Sequence, residues 1–142
     1  MASKMQQTGL QKLMNAEVDM DTHTIRCIFT RASTHVFSQA HDFFNDLVSP
    51  VGNNGDALVT DGGQLDTPVI GADSTFDALD EVILSVDAGA ALNQLHIYRD
   101  TGVASTSPLL AFIDGFTITP NGSNITIQWA GAPNFIWKLG AD

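Results

Sequence analysis

The sequence predicts a mainly β protein, and three observations carry that expectation. Short apolar runs alternate with polar residues at a period of two, most plainly over Thr24–Arg31, Leu79–Val86 and Leu92–Arg99. Turn clusters such as Gly52-Asn-Asn-Gly55, Asp61-Gly-Gly63 and Asp100-Thr-Gly102 separate them. No strand–helix–strand alternation of the kind that builds parallel sheets is present. At 142 residues the chain fits one domain with room for a real core. The expected architecture is a β-sandwich or jelly-roll-like body over residues 18–142, preceded by an N-terminal helix or arm over 1–17.

Taken in order, residues 3–14 read as a helix. Ser3 and Gln6 have the S-x-x-Q spacing of a capping box. Met5, Leu10, Leu13 and Met14 form a partial apolar stripe, and Gly9 weakens it. A helix of this length is marginal alone, so it must dock either on its own domain or on a neighbour. Two methionines suit an adaptable contact, which makes Met5, Leu10, Leu13 and Met14 the candidate partner-binding residues. In the strand Thr24–Arg31, Ile25, Cys27 and Phe29 point one way and Arg26, Ile28 and Thr30 the other. The run 38–48 reads as a short helix with Ser38 as N-cap and Phe43, Phe44 and Leu47 as its apolar face, stopped by Ser49-Pro50.

From residue 52 onward the pattern is β. Strands are expected over Ala57–Thr60, Gln64–Ile70, Leu79–Val86, Leu92–Arg99 and Leu109–Asp114. Phe116–Thr119 and Ile125–Trp129 flank Pro120-Asn-Gly-Ser-Asn124 as a hairpin, and Phe135, Trp137 and Leu139 alternate at the end. The late aromatics Phe116, Trp129, Phe135 and Trp137 read as the core of a C-terminal hairpin; the alternative is an aromatic platform for a sugar or a protein.

Charge narrows the partners. Sixteen acids against six bases give a net charge of −10, and residues 32–98 contain no Lys or Arg. That opposes nucleic-acid binding, which needs clustered bases. It suits solubility, docking on a basic partner, or weak cation binding. Cys27 is the single cysteine, so no internal disulfide forms and a small buried core residue is its expected role. Residues 1–20 lack the apolar core of a secretory signal, and no run approaches the length of a membrane span; folding in a cytoplasm without membrane contact is expected.

Catalytic signals are weak. His23, His35, His41 and His96 have neither HxH nor HExxH spacing, so a zinc site would have to be assembled from distant residues by the fold. Asp19 and Asp21 before the first strand suit either a hard cation or, more simply, backbone capping. Asp77, Asp80 and Glu81 do not by proximity make a catalytic carboxylate pair. Ser105, Ser107 and Ser123 lie outside any G-x-S-x-G, and Gly62-Gly63 has no phosphate-loop context. Asn121 and Asn124 sit in glycosylation sequons expected to stay unmodified in a cytoplasm. The chain is therefore expected to bind rather than catalyse, with no cofactor and no metal.

Four blocks carry a resemblance. Val18-Asp-Met-Asp-Thr-His-Thr-Ile-Arg-Cys-Ile-Phe-Thr30 is similar to a "VDLDTDTIK-apolar" opening strand, and Ala40-His-Asp-Phe-Phe-Asn45 to a following "hDFF/W" helix. Tyr98-Arg-Asp-Thr-Gly-Val-Ala-Ser-Thr-Ser-Pro-Leu109 matches "Y-R/K-D-T-G-x-A-x-x-S-x-L". Pro120–Trp129 with Ile136-Trp-Lys-Leu139 matches a "P-N-G-x-x-I-T-I-Q-W" closing strand and its "I-x-K-L" tail. Together, over about residues 9–139, the chain resembles small tailed-bacteriophage virion proteins of the capsid cement or decoration type. It departs from them at His23, where an acid is usual, and does not align over Pro50–Asp73. The resemblance implies a protein on the outside of the virion, assembled in a host bacterial cytoplasm. Its partners would be the major capsid protein, with capsomers bridged, and a second copy in a homodimer. Other readings are a tail-tube or head–tail connector subunit, a carbohydrate-binding module of a tail fibre using Trp129 or Trp137 with calcium at Asp19 and Asp21, and, least favoured, an enzyme.

Overall fold

A computed structural model describes residues 2–55, 58–72, 74–129 and 136–138. The body is mainly β and sandwich-like. Ten strands occur among these residues: β1 (Ala2–Met5), β2 (Ile25–Thr30), β3 (Gly63–Gln64), β4 (Val69–Ile70), β5 (Thr75–Asp77), β6 (Glu81–Ile83), β7 (Gln94–Arg99), β8 (Leu109–Asp114), β9 (Ile125–Ile127) and β10 (Trp137–Lys138). One helix, α1, spans Gln7–Met14. An antiparallel sheet in the order β1-β8-β7-β2-β3 faces a three-stranded sheet, β10-β5-β4, and a two-stranded one, β6-β9.

The main core lies between these sheets. Ile25, Cys27 and Phe29 of β2, Leu95 and Ile97 of β7, and Ala111 and Ile113 of β8 meet Phe76, Ile83, Ile125 and Trp137 from the opposite side. The other face of the large sheet is buried as well. Ile28, Tyr98 and Leu109 pack there against Phe44, Leu47 and Val59, which come from a cover lacking strands of its own. A sheet covered on both faces needs near-continuous apolar strands, and β7 and β8 are each buried over their first five residues.

The structure corrects several expectations. Residues 2–5 are a strand, not the first turn of a helix: β1 pairs antiparallel with β8, from Ala2↔Asp114 to Met5↔Ala111. Gln6 is the residue before α1 and makes no side-chain cap, so the Ser3/Gln6 capping box is absent. A partner strand satisfies the backbone groups of alternate residues along its length, whereas a cap satisfies one or two. The helix expected near 39–48 is reduced to a single 3-10 turn, Phe44–Asp46. There the Asp46 carboxylate accepts the N–H groups of Asp42 and Phe43 (2.8 and 2.9 Å), holding that stretch outside a helix. Of Ala57–Thr60, the described residues 58–60 form a turn. Gln64–Ile70 splits into β3 and β4 around Thr67, whose φ is 50°. The hairpin across 120–124 does not form either. Ile118 bridges Leu92, β9 pairs with β6, and β10 with β5. A five-residue connection leaves partner choice to tertiary packing. Phe135 and Leu139 lie outside the described residues.

Candidate functional surface

The four candidate contact residues do not form one exposed stripe. Met5 belongs to β1, and both it and Leu13 are half-buried against the main core. Leu10 is half-buried; Met14 alone projects, at 78% exposure. The reason is how α1 docks. Gly9 is buried, and a Cβ there would collide with the Leu109 carbonyl oxygen and lie 2.7 Å from Leu110 Cα. The helix thus rests by its glycine on the backbone of β8, which answers the docking question in favour of its own domain. Leu13 lines a shallow apolar cavity of about 250 Å³ with Met20, Ile70, Phe76 and Trp137.

A second set of apolar side chains was not singled out by the sequence pattern. The large exposed apolar residues are Met14, Val36, Val48, Leu58, Val69, Ile70, Leu79, Val82, Leu84 and Val103. Eight of these ten lie within residues 32–98, the stretch that carries ten acids and no Lys or Arg. Val82 and Leu84 alternate with buried Ile83 on β6 and its end, and Val69 and Ile70 form β4, the edge of its sheet. The signal was available in principle: apolar residues at the outward positions of alternating strands.

The polar residues of two sequence blocks, Val18–Thr30 and Tyr98–Leu109, hold the loops beside their strands. Arg26 Nε meets Asp100 Oδ2 at 2.7 Å and its Nη1 donates to the Gly62 carbonyl (2.9 Å). Asp100 Oδ1 accepts the Gly102 N–H (2.7 Å), and Gly102 takes the positive φ of 81° that the turn needs. Ser107 Oγ accepts the Thr101 N–H (3.0 Å) and donates to the Val103 carbonyl (2.8 Å). Ser107 is thus occupied in holding the 100–107 loop. Asp19 Oδ1 accepts the Asp21 N–H (3.0 Å), and His23 Nδ1 accepts that of Asp19 (2.9 Å). This is the capping role, and the first of these bonds is the main reason Asp19 titrates below the usual carboxylate range.

The three neighbouring carboxylates separate. Asp77 accepts the Ala78 N–H and Asp80 the Trp129 N–H, each at 3.0 Å. Glu81 turns inward over Gly63, where a Cβ would lie 2.5 Å from its Cγ. Burial, and then Asp66, push its carboxyl up to about 7. Trp137 is buried and stacks on Phe76 with ring centroids 4.4 Å apart, which leaves no exposed platform at that residue. Cys27 is buried, and burial pushes its thiol well above the usual range.

Three histidines distant in sequence do come together. The rings of His35 and His41 are 5.0 Å apart between centroids, and those of His35 and His96 are 5.1 Å apart. Among the described residues no group of three ligating side chains is arranged to hold a metal ion. No helix among them is long and apolar enough to cross a membrane. The chain matches no known family model, no curated protein and no solved structure.

Proposed function

We propose that the protein is a non-enzymatic structural component of a phage virion that binds the outer surface of the major-capsid shell, as a homodimer, and bridges neighbouring capsomers. The observation that carries this reading is the exposed apolar set on an acidic, base-free stretch. Apolar side chains flanked by neutral polar groups are cheap to desolvate against an apolar surface, and the nearby carboxylates suit a partner supplying Lys or Arg at its rim. The four sequence blocks that resemble cement proteins point to the same partner. Identical modest contacts repeated over a lattice add up to firm attachment, so no single deep pocket is required.

The test uses the full chain and phage heads emptied and stripped of it, imaged by electron microscopy. Decoration of the shell is expected, weakening at high salt as acid–base contacts are screened. The paired substitutions Val82→Asp and Leu84→Asp, at exposed positions, are expected to lower occupancy at least tenfold while leaving the thermal transition within a few degrees. Rings of six or more along the tail, or unchanged occupancy in the double variant, would overturn the reading.

A further inference from the structure

The three-histidine cluster sits where the cover meets the large sheet. His96 projects from β7 and packs against Phe112 of β8, while His35 and His41 come from residues 31–48 of the cover. The first two residues of this segment are tied to the body, Arg31 Nε donating to the Ala90 carbonyl (3.1 Å) and the Ala32 N–H to Asn93 Oδ1 (2.8 Å), and beyond them backbone contacts are sparse. The Phe44 N–H donates to the Ser107 carbonyl (2.9 Å) and the Leu109 N–H to the Asp42 carbonyl (3.0 Å). The Gln39 side chain bonds the Met5 carbonyl (3.2 Å) and the Gln7 N–H (2.9 Å), and the Thr8 hydroxyl meets the Asp42 carboxylate.

Hydrogen bonds fix the protons on two rings. The Thr30 hydroxyl donates to Gln94 Oε1 (2.7 Å), so it receives the Nε2–H of His96 (2.9 Å), and His96 Nδ1 is the bare nitrogen. His35 Nδ1 accepts the Val48 N–H (3.2 Å), so its proton is on Nε2. Three ring nitrogens, His35 Nε2, His41 Nδ1 and His96 Nδ1, are then buried with no hydrogen-bond partner. This arrangement does not suit a metal: His35 cannot offer a lone pair at Nε2 while Nδ1 is accepting an N–H. At His35 and His96 it suits neutral imidazoles only. A proton added to His35 would set Nδ1–H against the Val48 N–H, and one added to His96 would place an unpaired N–H⁺ beside another imidazole.

Among the described residues no carboxylate is hydrogen-bonded or ion-paired to the three rings. Asp46 is taken by two backbone N–H groups and Asp42 by Thr8. Arg26, on the same sheet face, is paired with Asp100. Lys4 of β1 stands 5.4 Å over the Phe37 ring, which packs on Phe112, and adds positive charge. The Tyr98 hydroxyl donates to the Val59 carbonyl (2.7 Å). Asp114 lies at the far end of β8, in a shallow polar cavity with Gln94 and Asn93.

We propose that residues 31–48 form an acid-released flap, latched at neutral pH by the packed rings of His35, His41 and His96 and opening when His35 and His96 take up protons. Opening bares Phe112 and Leu109 and one side of Tyr98 and Ile28, whose other side stays under Val59. Burial and then the neighbouring rings hold His96 down at about 3, and burial followed by His41 lowers His35. The sign follows from those directions. The closed form binds fewer protons than the open one, so closure is fully stable above about pH 6.5, where free imidazoles are neutral, and weakens below it. From pH 7 to pH 5 the opening equilibrium rises about 25-fold through His96 alone, and further through His35.

The test combines imidazole NMR titration with amide hydrogen exchange, corrected for intrinsic rates, on the full chain at pH 7 and pH 5. His35 and His96 are expected to stay neutral in the closed protein below pH 6. Amides of Phe44, Leu47 and Val48 are expected to gain the 25-fold or greater opening while those of Leu95 and Ile97 do not. His96→Gln, which cannot take a proton, is expected to flatten this pH dependence; if it does not fold, the wild-type titration decides alone. Titration of His35 or His96 near 6.5 with the flap still protected, or an equal response of both amide sets, would overturn the proposal.

Discussion

Glu81 is the residue whose environment most nearly contradicts its chemistry. It lies on an alternating strand where an acid is expected to face solvent, yet its stem covers Gly63 and its carboxyl faces a second acid, Asp66. With its folded value raised to about 7 against 4.5 unfolded, the folded state holds a proton the unfolded state has lost. Stability from this group is therefore present below pH 4.5 and is lost as pH rises through 7. Because the group is partly solvated, the effect is about 1 kcal/mol at most. Glu81→Gln is expected to raise the thermal midpoint slightly at pH 8 and to leave it unchanged at pH 4, which a calorimetric pair of scans would check; a lower midpoint at pH 8 would refute the assignment. The same scale shows what spacing could not reveal. Cys27 as a core residue was legible, because its two neighbours in the alternation are apolar. The meeting of His35, His41 and His96 was not, because it depends on where an irregular segment crosses a strand 55 to 61 residues later in the chain.

Among the elements, the strands written as clean alternation were legible: β2, β6, β7, β8 and β9 each fall inside an expected run. β4 and β10 also fall on expected runs, though far shorter than those runs; β5 and β1 were not legible, since a short run has no period to detect and is decided by the neighbour it pairs with. Helix α1 was legible in type but not in what it touches. Its apolar stripe left open whether it docks on its own domain or on a neighbour; Gly9, which weakens the isolated helix, is what lets it lie directly on β8. Gly9→Ala improves helix propensity by roughly 1 kcal/mol. It nonetheless is expected to destabilise the protein by about 1–3 kcal/mol, because the added methyl meets backbone that cannot rotate away. A denaturant titration showing equal or greater stability would refute this close approach.

For the molecule as a whole, the second covered face of the large sheet escaped the sequence. Ile28 opposite Ile25, Cys27 and Phe29 breaks the strict alternation, and that irregularity is the trace of a second buried layer. Burial at the centre of the sandwich predicts a global reporter: Cys27 is expected to react with a thiol reagent at the rate of whole-chain unfolding, and in step with the β7 amides. Rapid labelling under native conditions would show that the sheets part locally. The surface, by contrast, was readable as charge and unreadable as shape, because net acidity shows in the residue count while the outward apolar positions appear only once strand faces are assigned.

The pairing of β1 with β8 also sets an order of events. Residue 2 finds its partner in residue 114, so β1 cannot be placed until β8 exists. On the ribosome it must wait, unpaired, until most of the chain has been synthesised, and closing so long a loop is entropically slow. In the large sheet β1 and α1 are therefore late additions to an edge rather than the point from which it starts.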